Sequence, residues 1–170
     1  PGLIIWPVAV AVVYTISTFG SVLGGYLPKL LIDRGMDTSK ARKTAMFIYA
    51  LVPLTVLGAM KVGEINTWFA VLVIGLACAA HQAWSANIFT TVSDMFPKKA
   101  VASVTGIGGL AGASGGLLIA AAAGWLLDHY EKVGHKETGY GILFVICALA
   151  YLVAWGVMHL LVPKFKKIVV

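Results

Sequence analysis

The sequence predicts an all-α membrane protein with five transmembrane helices, and three observations carry that reading. Hydrophobic residues make up 59 % of the 170 residues and charged residues only 12 %, with a mean hydropathy of +0.90. An ordinary water-soluble domain is about a quarter charged, so this chain cannot cover a water-facing surface and its apolar surface must face lipid. The charges are also gathered in blocks, and the runs between them are continuously apolar rather than alternating. Continuous runs suit helices, because a barrel strand alternates over about ten residues.

The spans follow in order from these runs. No charge precedes Lys29, which gives a first span over residues 3–28. The stretch lacks a basic leader and is longer than a signal peptide, so it reads as a span. The chain starts at Pro1 rather than Met, which reads as the start of a fragment or a trimmed end. Thr44 to Met60 carries no charge and gives a second span over 44–61. It is short, but Lys43 and Lys61 can snorkel at its ends, and Pro53 should kink it. The third span, 67–94, ends before Pro97. The fourth, 101–127, repeats small residues every four positions, at Gly108, Gly112, Gly116, Ala120 and Gly124. That spacing lines them along one stripe where another helix can approach closely. Gly20 and Gly24 make a shorter stripe in the first span. Both stripes fit either static packing or a sliding surface between moving halves. The fifth span covers 139–162. Each needs roughly 20 apolar residues to cross a bilayer, and the short connections make sequential spans antiparallel neighbours.

Charge sets the expected orientation. Lys29, Arg34, Lys40, Arg42 and Lys43 follow span one, Lys98 and Lys99 follow span three, and Lys164, Lys166 and Lys167 follow span five. Only Lys61, Lys132 and Lys136 lie on the other side. The positive-inside rule then places the N-terminus of this segment outside and its C-terminus in the cytoplasm. The net charge of +6 is a topology signal and asks for no nucleic-acid partner. Trp6, Trp68, Trp125, Tyr130 and Tyr140 on one side, with Tyr26, Phe96 and Phe165 on the other, fit an interfacial belt. Cys78 and Cys147 read as small packing residues, with no disulfide framework, and no metal or cofactor is called for.

Polar groups inside a bilayer are costly and tend to mark a solute pathway. Span three holds the densest set: His81, Gln82, Ser85, Asn87, Thr90 and Thr91. Helical spacing puts Gln82, Ser85 and Phe89 on one face with His81 at its edge. Uncharged amide, hydroxyl and imidazole groups can bind a hydroxylated solute, and Trp84 and Phe89 can stack on its apolar face. Gln82 and Ser85 read as cavity lining. Asn87, Thr90 and Thr91 have the alternative of bonding a neighbouring helix or their own backbone. His81 is open between a proton relay and a neutral, satisfied hydrogen-bonder. Tyr14, Thr15, Ser17 and Thr18 form a second polar patch in span one.

The stretch from His81 to Pro97 (HQAWSANIFTTVSDMFP), followed by Ala102 to Gly112 (ASVTGIGGLAG), closely resembles the hexuronate-transporter-like members of the anion:cation symporter family, within the major facilitator superfamily. Gly20 to Gly25 (GSVLGG), Arg34-Gly35 and Ala41 to Met46 (ARKTAM) are similar to that family's cytoplasmic connection. The resemblance covers essentially residues 1–170 and corresponds to helices eight to twelve of twelve. It implies that the five spans form most of the C-terminal six-helix bundle of a major facilitator fold, with the N-terminal half of the transporter missing. It further implies secondary active transport by alternating access in a bacterial inner membrane: proton-coupled symport of a sugar acid, an organic anion such as a hexuronate, together with H⁺. The third span would line the substrate cavity, with an aromatic residue at the place of Phe89. Gly109 departs from the amide often found there, and Lys29 departs from an acidic residue, which Asp33 misses by one helical turn. All thirteen Lys and Arg residues lie outside the five cores, so an anion-binding arginine and a proton-carrying acid would belong to the missing half.

Two other classes compete. A sensor or assembly module on the same bundle would bind solute without transporting it. A membrane-embedded enzyme would need a nucleophile–base pair or metal ligands; neither is found, and no carboxylate lies within one turn of His81.

Overall fold

A computed structural model describes the backbone of residues 2–168 and the side chains of residues 6–168. Pro1, on which the reading of a trimmed start rests, lies outside the described residues. Five helical segments are long and apolar enough to cross a membrane: Trp6–Asp33, Thr38–Ile65, Thr67–Met95, Lys98–Lys132 and Lys136–Leu161. The first joins α1 (Gly2–Gly24) to a short α2 (Tyr26–Asp33). The second joins α3 (Thr38–Leu51) through a 3₁₀ stretch at Val52–Gly58 to α4 (Ala59–Ile65). Then come α5 (Thr67–Met95), α6 (Lys98–Lys132) and α7 (Lys136–Leu161).

The helices run past the charge-free stretches because local chemistry ends them, not the change of solvent. Asp37 caps α3 by accepting from the Lys40 N–H at 3.2 Å, and Asn66 caps α5 by accepting from the Trp68 N–H at 2.9 Å. Lys40, Arg42 and Lys43 therefore lie within the first turns of α3. Gly35 (φ 91°) and Gly134 (φ 77°) adopt the left-handed conformation. At each, two N–H groups fold back in a Schellman motif, Met36 to Leu31 O and Gly35 to Ile32 O, then His135 to Tyr130 O and Gly134 to Glu131 O. Pro53 opens the 3₁₀ stretch at its first turn. The residue has no N–H to donate, so the α-helical ladder is interrupted there.

The most extensive packing joins α1 to α5, which are the first and third spans rather than sequential ones. Ile16, Gly20 and Gly24 meet Gly75, Ala79 and Ala83 in rising order, so the two helices run parallel. A Cβ added at Gly20 would stand 2.2 Å from the Ala79 carbonyl oxygen, and one at Gly24 would stand 2.5 Å from Ala83 Cα. Backbones this close need glycine, and in lipid such contact replaces the absent hydrophobic drive. Sequential spans are neighbours, span two packing along α5 and α6 against α7; the parallel pairing of spans one and three comes in addition, through small-residue complementarity that loop length does not encode.

A second centre binds the α3, α5 and α7 ends. Met46, Ala50 and Trp84 are buried, with Tyr151, Leu152, Trp155 and Met158 against them. Trp155 Nε1–H donates to the Lys43 carbonyl at 2.9 Å, Lys43 Nζ donates to Val162 O, and Arg42 pairs with Asp94. The tail folds back over this end, with Phe165 N–H on Ser39 Oγ at 2.9 Å and Ile168 N–H on Met95 O at 2.7 Å. Helix α6 stands apart: none of its residues is buried, and it leans chiefly on α7.

Candidate functional site

Helix α5 divides its residues between two faces. Ala80, Ala83, Trp84, Asn87 and Thr91 are buried, at the three- and four-residue spacing of one helical stripe. His81, Gln82, Ser85 and Phe89 lie on more open parts of the helix. The sequence grouped Trp84 and Asn87 with the second set, and the structure places both elsewhere. Trp84 packs edge-on against Tyr151, with ring centroids 5.6 Å apart, inside the α3–α5–α7 centre. Asn87, only 1 % exposed, donates from Nδ2 to Gly24 O and Ala83 O at 2.8 Å each. It ties α5 to the end of α1, and Tyr49 donates to the same Gly24 carbonyl at 3.1 Å.

The other polar residues converge with span one. A groove of about 630 Å³ between α1 and α5 is lined by Tyr14, Ser17, Thr18, Cys78, His81 and Gln82, among others. The two polar patches read separately in the sequence thus form the walls of one cleft, a consequence of the parallel seam. Ser17 Oγ donates across it to Cys78 O at 3.4 Å. Thr15 and Thr18 return their hydroxyls to Ala11 O and Tyr14 O of their own helix. Thr90 and Thr91 do the same to Ala86 O and Asn87 O, which satisfies them inside an apolar medium. Among the described residues, Gln82 and Ser85 make no side-chain hydrogen bond, so their polar groups are free for an outside partner. Ser85 and the half-exposed Phe89 continue the strip toward Met95, beyond the groove lining.

His81 has a partner that sequence reasoning missed. Its Nδ1 meets the Tyr151 hydroxyl of α7, and the rings pack edge to face at 5.9 Å. Tyr151 could have been found by position: it lies in the interior of an apolar run, where the interfacial belt does not explain a hydroxyl.

The two glycine stripes have different surroundings. Gly20 and Gly24 are locked against α5, whereas a Cβ at Gly108, Gly112 or Gly116 would meet nothing within 4 Å among the described residues. Read in the sequence as either packing or sliding residues, these three meet no neighbour among the described residues, where no residue of α6 is buried.

Fold and groove together define an all-helical, multi-pass membrane protein with a groove between two of its spans whose largely apolar lining carries a cluster of polar side chains. The chain is 30 % identical over 142 residues to the hexuronate transporter of Escherichia coli strain K12, and equally to that of Escherichia coli O157:H7. The match takes in 82 % of this chain, which spans 31 % of the length of these curated relatives. The resemblance read from the sequence is therefore homology to part of a major facilitator superfamily transporter. No family model matches the chain. No solved structure matches it either.

Proposed function

We propose that this chain is part of a secondary active transporter that carries a hexuronate or related sugar acid by alternating access, coupled to H⁺. The observation that carries the reading is the α1–α5 groove. Gln82 offers an unspent amide beside His81, and Tyr14, Ser17 and Thr18 face it from α1. Similarity to transporters named for hexuronates supports the substrate class. A hexuronate presents hydroxyls around a ring, which amide and hydroxyl groups bind without a buried charge. Gln82 is the proposed central contact, with Ser85 and Phe89 extending the strip and His81 held by Tyr151 at its edge. Trp84 and Asn87 hold α5 in place rather than touch the solute.

The carboxylate of the substrate and the coupling proton require charged groups, and among the described residues no Lys, Arg, Asp or Glu lines the α1–α5 groove. We assign them to the portion of the transporter that corresponds to the unmatched two thirds of the relatives. The basic residues favour an inner-membrane orientation with the segment's N-terminus outside and its C-terminus cytoplasmic.

Counterflow in vesicles holding the full-length protein, with a panel of hexuronates, tests this reading. Exchange of labelled glucuronate or galacturonate is expected. Solute binding without exchange would indicate a sensor module instead. In the same assay Gln82→Ala should raise the half-saturating sugar-acid concentration by up to roughly tenfold, the worth of one lost neutral hydrogen bond, with membrane insertion intact. Unchanged kinetics would remove Gln82 from the site.

A further inference from the structure

At the charged end of the α3–α5–α7 centre, three of the basic residues that set topology, Lys40, Lys43 and Lys164, come together. A cavity of about 640 Å³ opens between the start of α3 and the end of α7. Its walls include Ser39, Lys40, Lys43, Trp155, His159 and Lys164. Asp37 also lines it, and that carboxylate is engaged in capping α3 through the Lys40 N–H. Three lysines and one acid thus line it, and a positive balance remains.

The cavity is built rather than left over. Lys43 is only 6 % exposed, and it is fixed by its Nζ bond to Val162 O and by its position 5.1 Å from the centre of the Phe165 ring. Its own carbonyl is held by Trp155 Nε1, while Trp155 stacks on His159 at 4.9 Å with planes 19° apart. Phe47 also packs against Trp155, with ring centroids 4.8 Å apart. Phe47 and Leu51, exposed on the same helix, lead from the cationic end toward the membrane interior. The start of α3 and the ends of α5 and α7 meet at this level, the charged end of the spans, which is where a bilayer sets its phosphate headgroups against basic residues. Lysines lead onto an aromatic wall and then onto an apolar helix face. A free anion would use only the first of these, whereas a phospholipid would use all three.

We propose that this cavity binds the headgroup phosphate of an anionic phospholipid, with Lys40 and Lys164 as the exposed cationic arms and Lys43 as the fixed inner one. Its acyl chains lie along α3 below Trp155. The site is separate from the α1–α5 groove and does not depend on what that groove carries.

The test uses the full-length protein purified in neutral detergent, with melting followed as lipid is titrated in. Phosphatidylglycerol should raise the melting temperature saturably, and phosphatidylcholine or inorganic phosphate at equal concentration should not. Lys40→Gln with Lys164→Gln, both at exposed positions that hold no other element, should weaken the phosphatidylglycerol response by about thirtyfold in half-saturating concentration, at roughly tenfold-or-less per surface lysine. Lys43 is left intact because it also ties α3 to α7. Equal responses of wild type and double variant would overturn the site. So would equal responses to the zwitterionic and anionic lipids. A full response to inorganic phosphate alone would overturn the lipid assignment in favour of a free-anion site.

Discussion

Helices α1 and α6 both carry glycines four residues apart, yet they meet opposite fates. Along α1, Gly20 and Gly24 are pressed against Ala79 and Ala83 of α5 so closely that a methyl group has no room. Along α6, Gly108, Gly112 and Gly116 face open space among the described residues. A small-residue repeat encodes the capacity for close approach; the partner's own surface decides whether the approach happens. Helix α5 supplies Gly75, Ala79 and Ala83 at matching spacing, and no described helix supplies such a row to α6. The α6 stripe is thus compatible with a covering surface that lies beyond this segment, whereas the α1 stripe is already spent.

That contrast can be broken or sharpened by substitution, with melting in detergent as the readout. The largest effect is expected for Gly20→Ala. Its methyl would meet backbone atoms that cannot rotate away, so the seam must part, at a cost of about 3 kcal/mol. A Gly20→Ala protein as stable as wild type would mean that α1 and α5 are not in this contact. Asn87→Ala comes next, at about 1 kcal/mol, since it removes the amide bond to Gly24 O from a site shielded from water. Gly112→Ala should be the smallest and of opposite sign, a gain of up to about 1 kcal/mol from helix propensity with no clash. A loss at Gly112 comparable to that at Gly20 would show that the α6 stripe is packed in the protein tested.

The sequence made the five-helix architecture legible because the cost of charge in lipid is written directly into residue order. Thr44 to Met60 is free of Lys, Arg, Asp and Glu, and any reader of hydropathy finds it. The helix ends were less legible, since Asp37, Asn66, Gly35 and Gly134 act through single hydrogen bonds and backbone angles. Face assignment within α5 was the harder problem. Spacing alone put Gln82, Ser85 and Phe89 on one side. It did not reveal that Trp84 and Asn87 are turned inward, because the direction of the seam depends on where α1 and α7 lie. The joining of Tyr14, Ser17 and Thr18 to His81 and Gln82 is a contact between residues some sixty positions apart, and nothing local in the chain specifies it. Tyr151 stands out by its place inside an apolar run, but its pairing with His81, 70 positions away, does not.

The 3₁₀ stretch at Val52–Gly58 has a geometric consequence for span two. Such a coil turns about 120° per residue against about 100° in an α-helix, and rises about 2.0 Å instead of about 1.5 Å. Over its seven residues the phase advances by about 140° and the length by about 3.5 Å relative to an uninterrupted α-helix. The side of α4 that looks at its neighbours is therefore not the prolongation of the side that α3 buries. One span acts as two differently aimed rods, and wheel diagrams drawn straight through Pro53 will assign the α4 residues to the wrong compass point.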